Sequence, residues 1–443
     1  MADPAELLAR ARDAVQMAKE AGAQEAWAST SRRREVEVKY RDDHIETVQE
    51  STRRGLSIRL WVDGRYSTHA TTDLHPDSLA TFIPEAVALT RALEQDPFRT
   101  ITPPALFANQ PTDRLDIEDE SVRRIRPQQR VQWCEQIVGA ARQHERIISS
   151  TTGVSTNEGE SASVSSNGFE GTRVSTSAWC GGEVTLRDQG ERRPEGWYWA
   201  GGAHLSAVPA RREIGALALA DASRQLGSVP GPTRRTKMVV EPRSSGRLLS
   251  QLLRAANARS FSQGRSFFME KIGERIVSDK LTLIDDPLMA RGLASRHFDG
   301  DGISARQMPI IEAGVLRNIY VDVYYGRKIE MAPTTGSRSN LRLALGEKNL
   351  SELVEEAGSG VLVTAWMGGN VDITTGDFSF GLRGHLIEGG EVGAPVSEMN
   401  VTGNMLTLFN QLSAVGNDPW PYSSIRSPTL VFDDVQFSGA DAP

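Results

Sequence analysis

The stretch Gly55-Leu-Ser-Ile-Arg-Leu-Trp-Val62 alternates strictly, so that Leu56, Ile58, Leu60 and Val62 fall on one side of an extended chain. Asp63-Gly64 follows at once, and this pair suits the left-handed backbone of a tight hairpin. Together they commit the chain to an antiparallel sheet with one buried face, and Tyr66 to Thr72 reads as the returning strand. An earlier strand carries Val36, Val38 and Tyr40 on one face and Glu35, Glu37 and Lys39 on the other. Helices flank this meander. Asp3 reads as an N-cap, Pro4 as the first helical residue and Glu6 as the partner in a capping box. Leu7, Leu8, Ala11, Val15 and Ala18 then repeat at helical spacing until Gly22. A second helix is expected over 77–93.

The segment 97–120 carries Pro97, Pro103, Pro104 and Pro111, then an acidic run from Asp113 to Glu120, and reads as a linker or an extended crossing segment. A helix over 128–143 opens a second unit. The stretch 147–186 is rich in Ser, Thr and Gly, with Asn157-Glu-Gly159 and Asn167-Gly168 as expected turns, and reads as a polar antiparallel meander. A helix over 209–226 ends at Gly227, and Pro230-Gly-Pro232 marks a boundary. Beyond it lie an apolar strand (Lys237-Met-Val-Val-Glu241), a helix from Ser244 to Arg259 and many short strands. The clearest strands are Arg317–Tyr324, Gly360–Trp366, Phe380–Glu388 and Thr429–Val435, with corners at Glu312-Ala-Gly314 and Glu388-Gly-Gly390 and a helix over Leu350–Ala357. The expected fold class is α+β: N-terminal α+β modules with antiparallel meanders (1–110 and 118–228), followed by a β-rich C-terminal domain (233–443).

At 443 residues, with 39% hydrophobic and 24% charged content, the chain is long enough for two or three domains with ordinary globular cores. A net charge of −7 argues against a nucleic-acid surface. The basic runs Arg32-Arg33-Arg34 and Arg53-Arg54 read as solvated charge. No apolar run approaches the length of a membrane span. Met1-Ala-Asp-Pro-Ala-Glu6 is charged rather than apolar and does not read as a signal peptide. Two cysteines, Cys134 and Cys180, give no sign of an oxidising compartment, and Cys134 falls on the apolar face of its helix. The expected location is the cytoplasm.

Few residues suggest self-contained catalysis. The seven histidines (His44, His69, His75, His144, His204, His297 and His385) include no pair three to five residues apart, so none forms a helical metal pair. Asp299-Gly-Asp-Gly302 resembles a calcium loop at its start, but its twelfth position is Ile310, where a bidentate acid is needed. There is no G-x-S-x-G nucleophile turn. Asp285-Asp286 before Pro287 reads as a turn and helix cap, with acid–base work as the alternative.

Four segments, in order, resemble the TldD/PmbA family of peptidase subunits. They are Gly55 to Gly64 with Thr71-Thr-Asp73, then Ser166-Asn-Gly-Phe-Glu-Gly171, then Leu293 to Gly302, with Phe298-Asp-Gly-Asp-Gly302 and then Ile310-Ile-Glu-Ala-Gly-Val-Leu316. The last is Thr375-Gly-Asp-Phe-Ser-Phe-Gly381 with Leu386-Ile-Glu-Gly-Gly390, Pro395-Val396 and Gly403-Asn404. The resemblance spans nearly the whole chain. In the family's catalytic branch the helix after the apolar strand carries H-E-x-x-x-H, which supplies two zinc ligands and a general base. An ungapped reading here puts Ser250, Gln251 and Ala255 in those places, and no cysteine follows Cys180 to supply the family's further ligand.

The resemblance therefore implies a PmbA/TldE-like subunit with no catalytic residue, metal or cofactor of its own. It would serve an intracellular metallopeptidase complex whose zinc sits in a TldD-like partner. A peptide substrate would add as a strand near Gly368, Gly369 and Asn370 and near Thr375, Gly376 and Asp377, or along the meander at 150–186. Association would run through the β-rich domain, where Trp366, Phe378, Phe380 and Trp420 are either anchors or core, and the chain alone would form a homodimer. The competing implication, from a family also named for modulating DNA gyrase, is a stand-alone binding or regulatory protein of adaptor type without peptidase activity. Neither reading involves nucleic acid or a membrane.

Overall fold

A computed structural model describes residues 4–439. The N-terminal half contains α1 (Pro4–Glu20), β1 (Glu25–Arg41), β2 (His44–Val62), β3 (Arg65–Thr71), α2 (Pro76–Thr90), a single turn α3 (Glu120–Arg123), α4 (Pro127–Ala141), β4 (Ile147–Ser165), β5 (Glu170–Leu186), β6 (Glu195–Gly202) and α5 (Arg211–Ser223). Its strands form one antiparallel sheet in the order β3-β2-β1-β4-β5-β6. The two N-terminal modules thus share a sheet, joined where β1 pairs with β4 from Trp27↔Ser165 to Arg41↔Thr151. The alternation in β2 has the expected result, with Leu56, Ile58, Leu60 and Val62 all at most 2% exposed and packed under α1 and α2. Asp63 and Gly64 turn the hairpin with φ of 52° and 75°. The Asp3 cap lies outside the described residues.

The C-terminal half runs β7 (Val229–Pro230), β8 (Arg234–Val240), α6 (Pro242–Leu252), α7 (Ala258–Ser262), β9 (Leu283–Asp285), β10 (Met308–Glu312), β11 (Val315–Leu316), α8 (Val323–Lys328), β12 (Leu341–Leu343), α9 (Leu350–Ala357), β13 (Ser359–Trp366), β14 (Asn370–Val371), β15 (Asp377–Glu388), β16 (Glu391–Asn404), α10 (Met405–Asn410), β17 (Leu412–Val415), β18 (Ile425–Arg426) and β19 (Leu430–Ser438). The larger sheet is ordered β14-β15-β13-β8-β19-β16-β7, and β15 also pairs with β16, which closes β15, β13, β8, β19 and β16 into a barrel-like ring. A smaller sheet, β11-β10-β9-β12-β18, packs beside it over a shared core. The α+β class expected from the sequence is what the chain adopts.

The crossing segment is ordered by both halves. Leu115 and Ile117 are buried, Arg291 donates its backbone N–H to Leu115, and Thr176 donates its own to Ile117. An aromatic run binds the halves further: Trp27 stacks on Phe169 at 4.7 Å, and Phe169 meets Phe298 edge-on at 5.1 Å.

Several expectations fail, each for a tertiary reason. Asn157-Glu-Gly159 is not a turn. These residues lie mid-strand in β4, paired with Glu35, Arg34 and Arg33 on one side and Ser177, Thr176 and Ser175 on the other. The helix expected over 244–259 ends at Leu252, passes through a 3-10 turn at Leu253–Ala255, and restarts because the Asn257 side chain caps Ser260 N. Arg317–Tyr324 is not a strand. Only Tyr320 bridges to Asn257, and Asp322 caps α8 by accepting from Tyr325 N. No helix follows Asp285-Asp286. Both carboxylates are buried, Asp285 accepting from Tyr320 Oη at 2.9 Å and Ser339 N at 2.8 Å, and Asp286 from Gln307 at 3.0 Å. Of the two readings offered for Phe378 and Phe380, core is the one realised: both are buried and stacked on each other at 5.0 Å.

Candidate functional site

The candidate site is built where α6 leaves the central strand β8. Pro242 at the first helical position and the amphipathic spacing of Leu248, Leu249 and Leu252 dock α6 on the sheet, with all three leucines fully buried. Two serines on the same face lock it in place: Ser244 Oγ donates to Thr364 O at 2.7 Å, and Ser245 Oγ to Ser427 Oγ at 2.7 Å. Trp366 Nε1 donates to Ser244 O at 3.0 Å, which explains its partial burial.

The three places that the ungapped reading sets against H-E-x-x-x-H, Ser250, Gln251 and Ala255, are each engaged separately. Ser250 Oγ accepts from Arg338 Nη1 at 2.9 Å, and Gln251 Oε1 accepts from Arg254 Nη1 at 3.2 Å. Ala255 is fully buried and lies beyond the end of α6, where its carbonyl accepts from Ser266 Oγ. A hydroxyl, an amide and a methyl do not fit zinc, which takes imidazole, thiolate or carboxylate. A guanidinium hydrogen-bonded to the first of these side chains also sets a positive charge where a dication would have to sit.

The glycine segment lies beside α6. Arg247 Nη2 donates to Gly368 O at 3.0 Å and Gly369 O at 3.1 Å, a link that only the fold reveals. Gly369 is required twice over: its φ is +94°, and an added Cβ would sit 2.0 Å from Ser379 O. Asn370 then pairs with Ser379 to form β14, which runs along β15 on the same side as β13. The outer side of β14 has no strand partner among the described residues, so a short open edge exists there.

Thr375, Gly376 and Asp377 form the turn that returns into β15. Their polar groups are already engaged. Asn404 Nδ2 donates to Thr375 O at 2.8 Å and Asp377 Oδ1 at 3.0 Å, and Met405 N donates to Gly376 O at 2.8 Å. Hydrogen bonds from the Asn404 and Thr375 side chains hold the Asp377 carboxyl below its ordinary range. In the meander, β4 is flanked by β1 and β5 and offers no edge. β5 is covered by β6 from Ala178 to Thr185, and Thr176 N is taken by Ile117.

The comparisons with known proteins agree with this architecture. Models of the PmbA/TldA metallopeptidase match in all three parts: domain 1 over residues 29–90, the central domain over 120–226 and the C-terminal domain over 233–439. The metalloprotease PmbA of Escherichia coli O157:H7 is 26% identical over 416 residues, covering 91% of this chain and 90% of that protein. A crystal structure from Bacteroides thetaiotaomicron, described as a "putative modulator of DNA gyrase", is 36% identical with a TM-score of 0.94 over 98% of both chains. TldE from Thermococcus kodakarensis shares the fold, with a TM-score of 0.86 at 19% identity over 97% of this chain. The chain belongs to the TldD/PmbA family of metallopeptidases.

Proposed function

We propose that this chain is a PmbA/TldE-like, zinc-free subunit of a metallopeptidase complex that processes or degrades peptides inside the cell. The observation that carries the reading is the state of α6. Ser250 is tied to Arg338, Gln251 to Arg254, and Ala255 is buried off the helix, so the family's zinc-binding constellation is replaced residue by residue. The zinc and the hydrolytic step then belong to a TldD-like partner. This chain contributes enclosure and a place for extended substrate. The outer edge of β14, shaped by Gly368, Gly369 and Asn370 and supported by the Thr375-Gly376-Asp377 turn, would take a peptide by main-chain pairing. Pairing runs through the C-terminal barrel, as a pseudo-two-fold heterodimer with the partner and as a homodimer alone. The membrane plays no part in this reading, and no helix among the described residues is long and apolar enough to cross one.

Elemental analysis of the purified chain, light scattering, and peptide hydrolysis with and without a TldD-like partner test the proposal. The expected result is sub-stoichiometric zinc, a dimer, and hydrolysis only in the mixture. Near-stoichiometric zinc lost together with activity on chelation would sink it. A second reading, a stand-alone regulatory protein, takes its support from the description of the Bacteroides structure as a gyrase modulator. A genome lacking any TldD-like gene with the histidine motif would favour it.

A further inference from the structure

A cavity of about 640 Å³ lies between the β15–β16 hairpin and the chain around Arg192–Glu195, Gln225 and Ser228. One of its walls is irregular. The β15–β16 ladder shifts register between Leu382 and Gly384, which leaves Arg383 at a bulge, and Glu398 on the facing strand has a φ of +53°. Bulges re-aim side chains, and a non-glycine residue is held in the left-handed region only where its surroundings enforce it. Here the bulge places Arg383 in the cavity wall with its side chain only 16% exposed.

Arg383 is short of partners. Its Nε is buried with no hydrogen bond, and its nearest anion, Asp221, is 4.0 Å from Nη2. Asp221 is already committed: Arg243 and Arg224 each reach it at 2.6 Å, and it accepts Trp197 N at 3.0 Å. Glu241 is shared by the same two arginines, at 3.2 Å and 3.0 Å. This largely covered cluster thus sets three guanidiniums against two buried carboxylates, an excess of one positive charge beside a cavity. The acids in the cavity wall do not cancel it. Asp188 accepts Gly227 N, and the exposed Glu195 and Glu398 stand against the equally exposed Arg192 and Arg193, where water and salt screen all four.

We infer that this cavity binds the free C-terminal carboxylate of a short peptide, paired through two hydrogen bonds with the Arg383 guanidinium. A monoanion matches the single excess charge, and a planar carboxylate matches the planar fork. The volume suits a few residues of peptide, and Met367, Pro395, Val396 and Met399 give it apolar sides. The cavity reaches Met367 and Gly381, next to Gly368, so a peptide laid along the β14 edge would bring its end here. That the carboxylate belongs to a peptide rests on the proposed function; the anion chemistry stands on Arg383 itself.

Calorimetric titration of the isolated full chain with N-acetyl-trialanine, its C-terminal amide and inorganic phosphate tests the site. The acid should bind at least about tenfold more tightly than the amide. Arg383→Gln should remove that preference and Arg383→Lys should restore part of it. Equal affinity for acid and amide, binding of neither, or a preference that survives in Arg383→Gln would overturn the inference. Phosphate binding as tightly as the acid would overturn the carboxylate assignment. The wild-type acid–amide comparison decides the matter even where the Gln variant fails to fold. No partner subunit enters the assay, so failure here leaves the zinc-free subunit reading standing, and failure of that reading leaves this comparison intact.

Discussion

Arg338 Nη1 donates a hydrogen bond to Ser250 Oγ at 2.9 Å, across 88 residues of sequence, at the first of the three places that an ungapped reading sets against the H-E-x-x-x-H motif. The contact ties the Ser250 hydroxyl to a guanidinium, which opposes placing a dication beside it. The triple variant Ser250→His, Gln251→Glu, Ala255→His is therefore expected not to acquire stoichiometric zinc. The third imidazole would be buried beyond the end of α6 without a partner and would cost about 1–3 kcal/mol of stability. Metal content and a urea midpoint check both halves. Tight zinc binding by the variant would show that α6 can extend after all.

Asp221, itself buried, pairs with the largely covered Arg243 and the part-exposed Arg224, so Asp221→Ala should destabilise the chain by about 3 kcal/mol, because it leaves Arg243 with Glu241 as its one remaining anion. Denaturant unfolding reads this directly. A loss under about 1 kcal/mol would mean that the arginines relax to solvent.

The same carboxylate predicts a pH dependence. Burial alone would raise its pKa, but Arg243 and Arg224 outweigh burial and hold it below the ordinary 3.8. A depressed folded-state pKa means the stabilisation is present in full above the unfolded value and is lost as pH falls through the folded one. Stability should thus be level near neutrality in this respect and decline as the solution is acidified below about pH 4, with Asp221→Asn showing a shallower decline. Identical acid slopes for wild type and variant would remove Asp221 from the account.

Neighbouring glycines should respond differently. Gly369→Val must displace Ser379 O and the Phe380 ring while holding a φ of +94°, and is expected to cost about 3 kcal/mol or more. Gly368→Ala meets open space and bears only the backbone strain of its +108° φ, about 1 kcal/mol. Thermal unfolding of the pair separates steric from backbone cost, and equal losses would contradict the geometry.

The thiols should be inert in the folded chain. Burial pushes Cys134 up to about 11 and Cys180 up to about 12, and both side chains are fully buried. Reaction with a coloured thiol reagent should proceed only as fast as the structure opens, with both groups appearing at once in denaturant. Rapid native-state labelling of either would place it nearer the surface than it lies here.

Period and turn chemistry determined much of this protein from sequence alone. The alternation in β2, the Asp63-Gly64 hairpin and α9 at Leu350–Ala357 were legible because each rests on residues within one turn or strand of each other. The capping box at Asn349 and Glu352 marks the start of α9 locally, although Asp418 also accepts Leu350 N and Leu353 packs in a core with Val239. That Ser250, Gln251 and Ala255 carry no imidazole, thiolate or carboxylate is likewise read from residue type alone. Other features depended on partners far away in sequence. Asn157-Glu-Gly159 has the composition of a turn, yet two flanking strands supply hydrogen bonds to its backbone and keep it extended. Arg317–Tyr324 has strand composition, but Asp322 stands where its carboxylate can start a helix. The joining of two modules into one sheet, the approach of Arg247 to Gly368, and the surplus charge at Arg383 are relations between segments dozens to hundreds of residues apart. Local propensity carries no information about such pairs, because only packing decides which charges and edges finally meet.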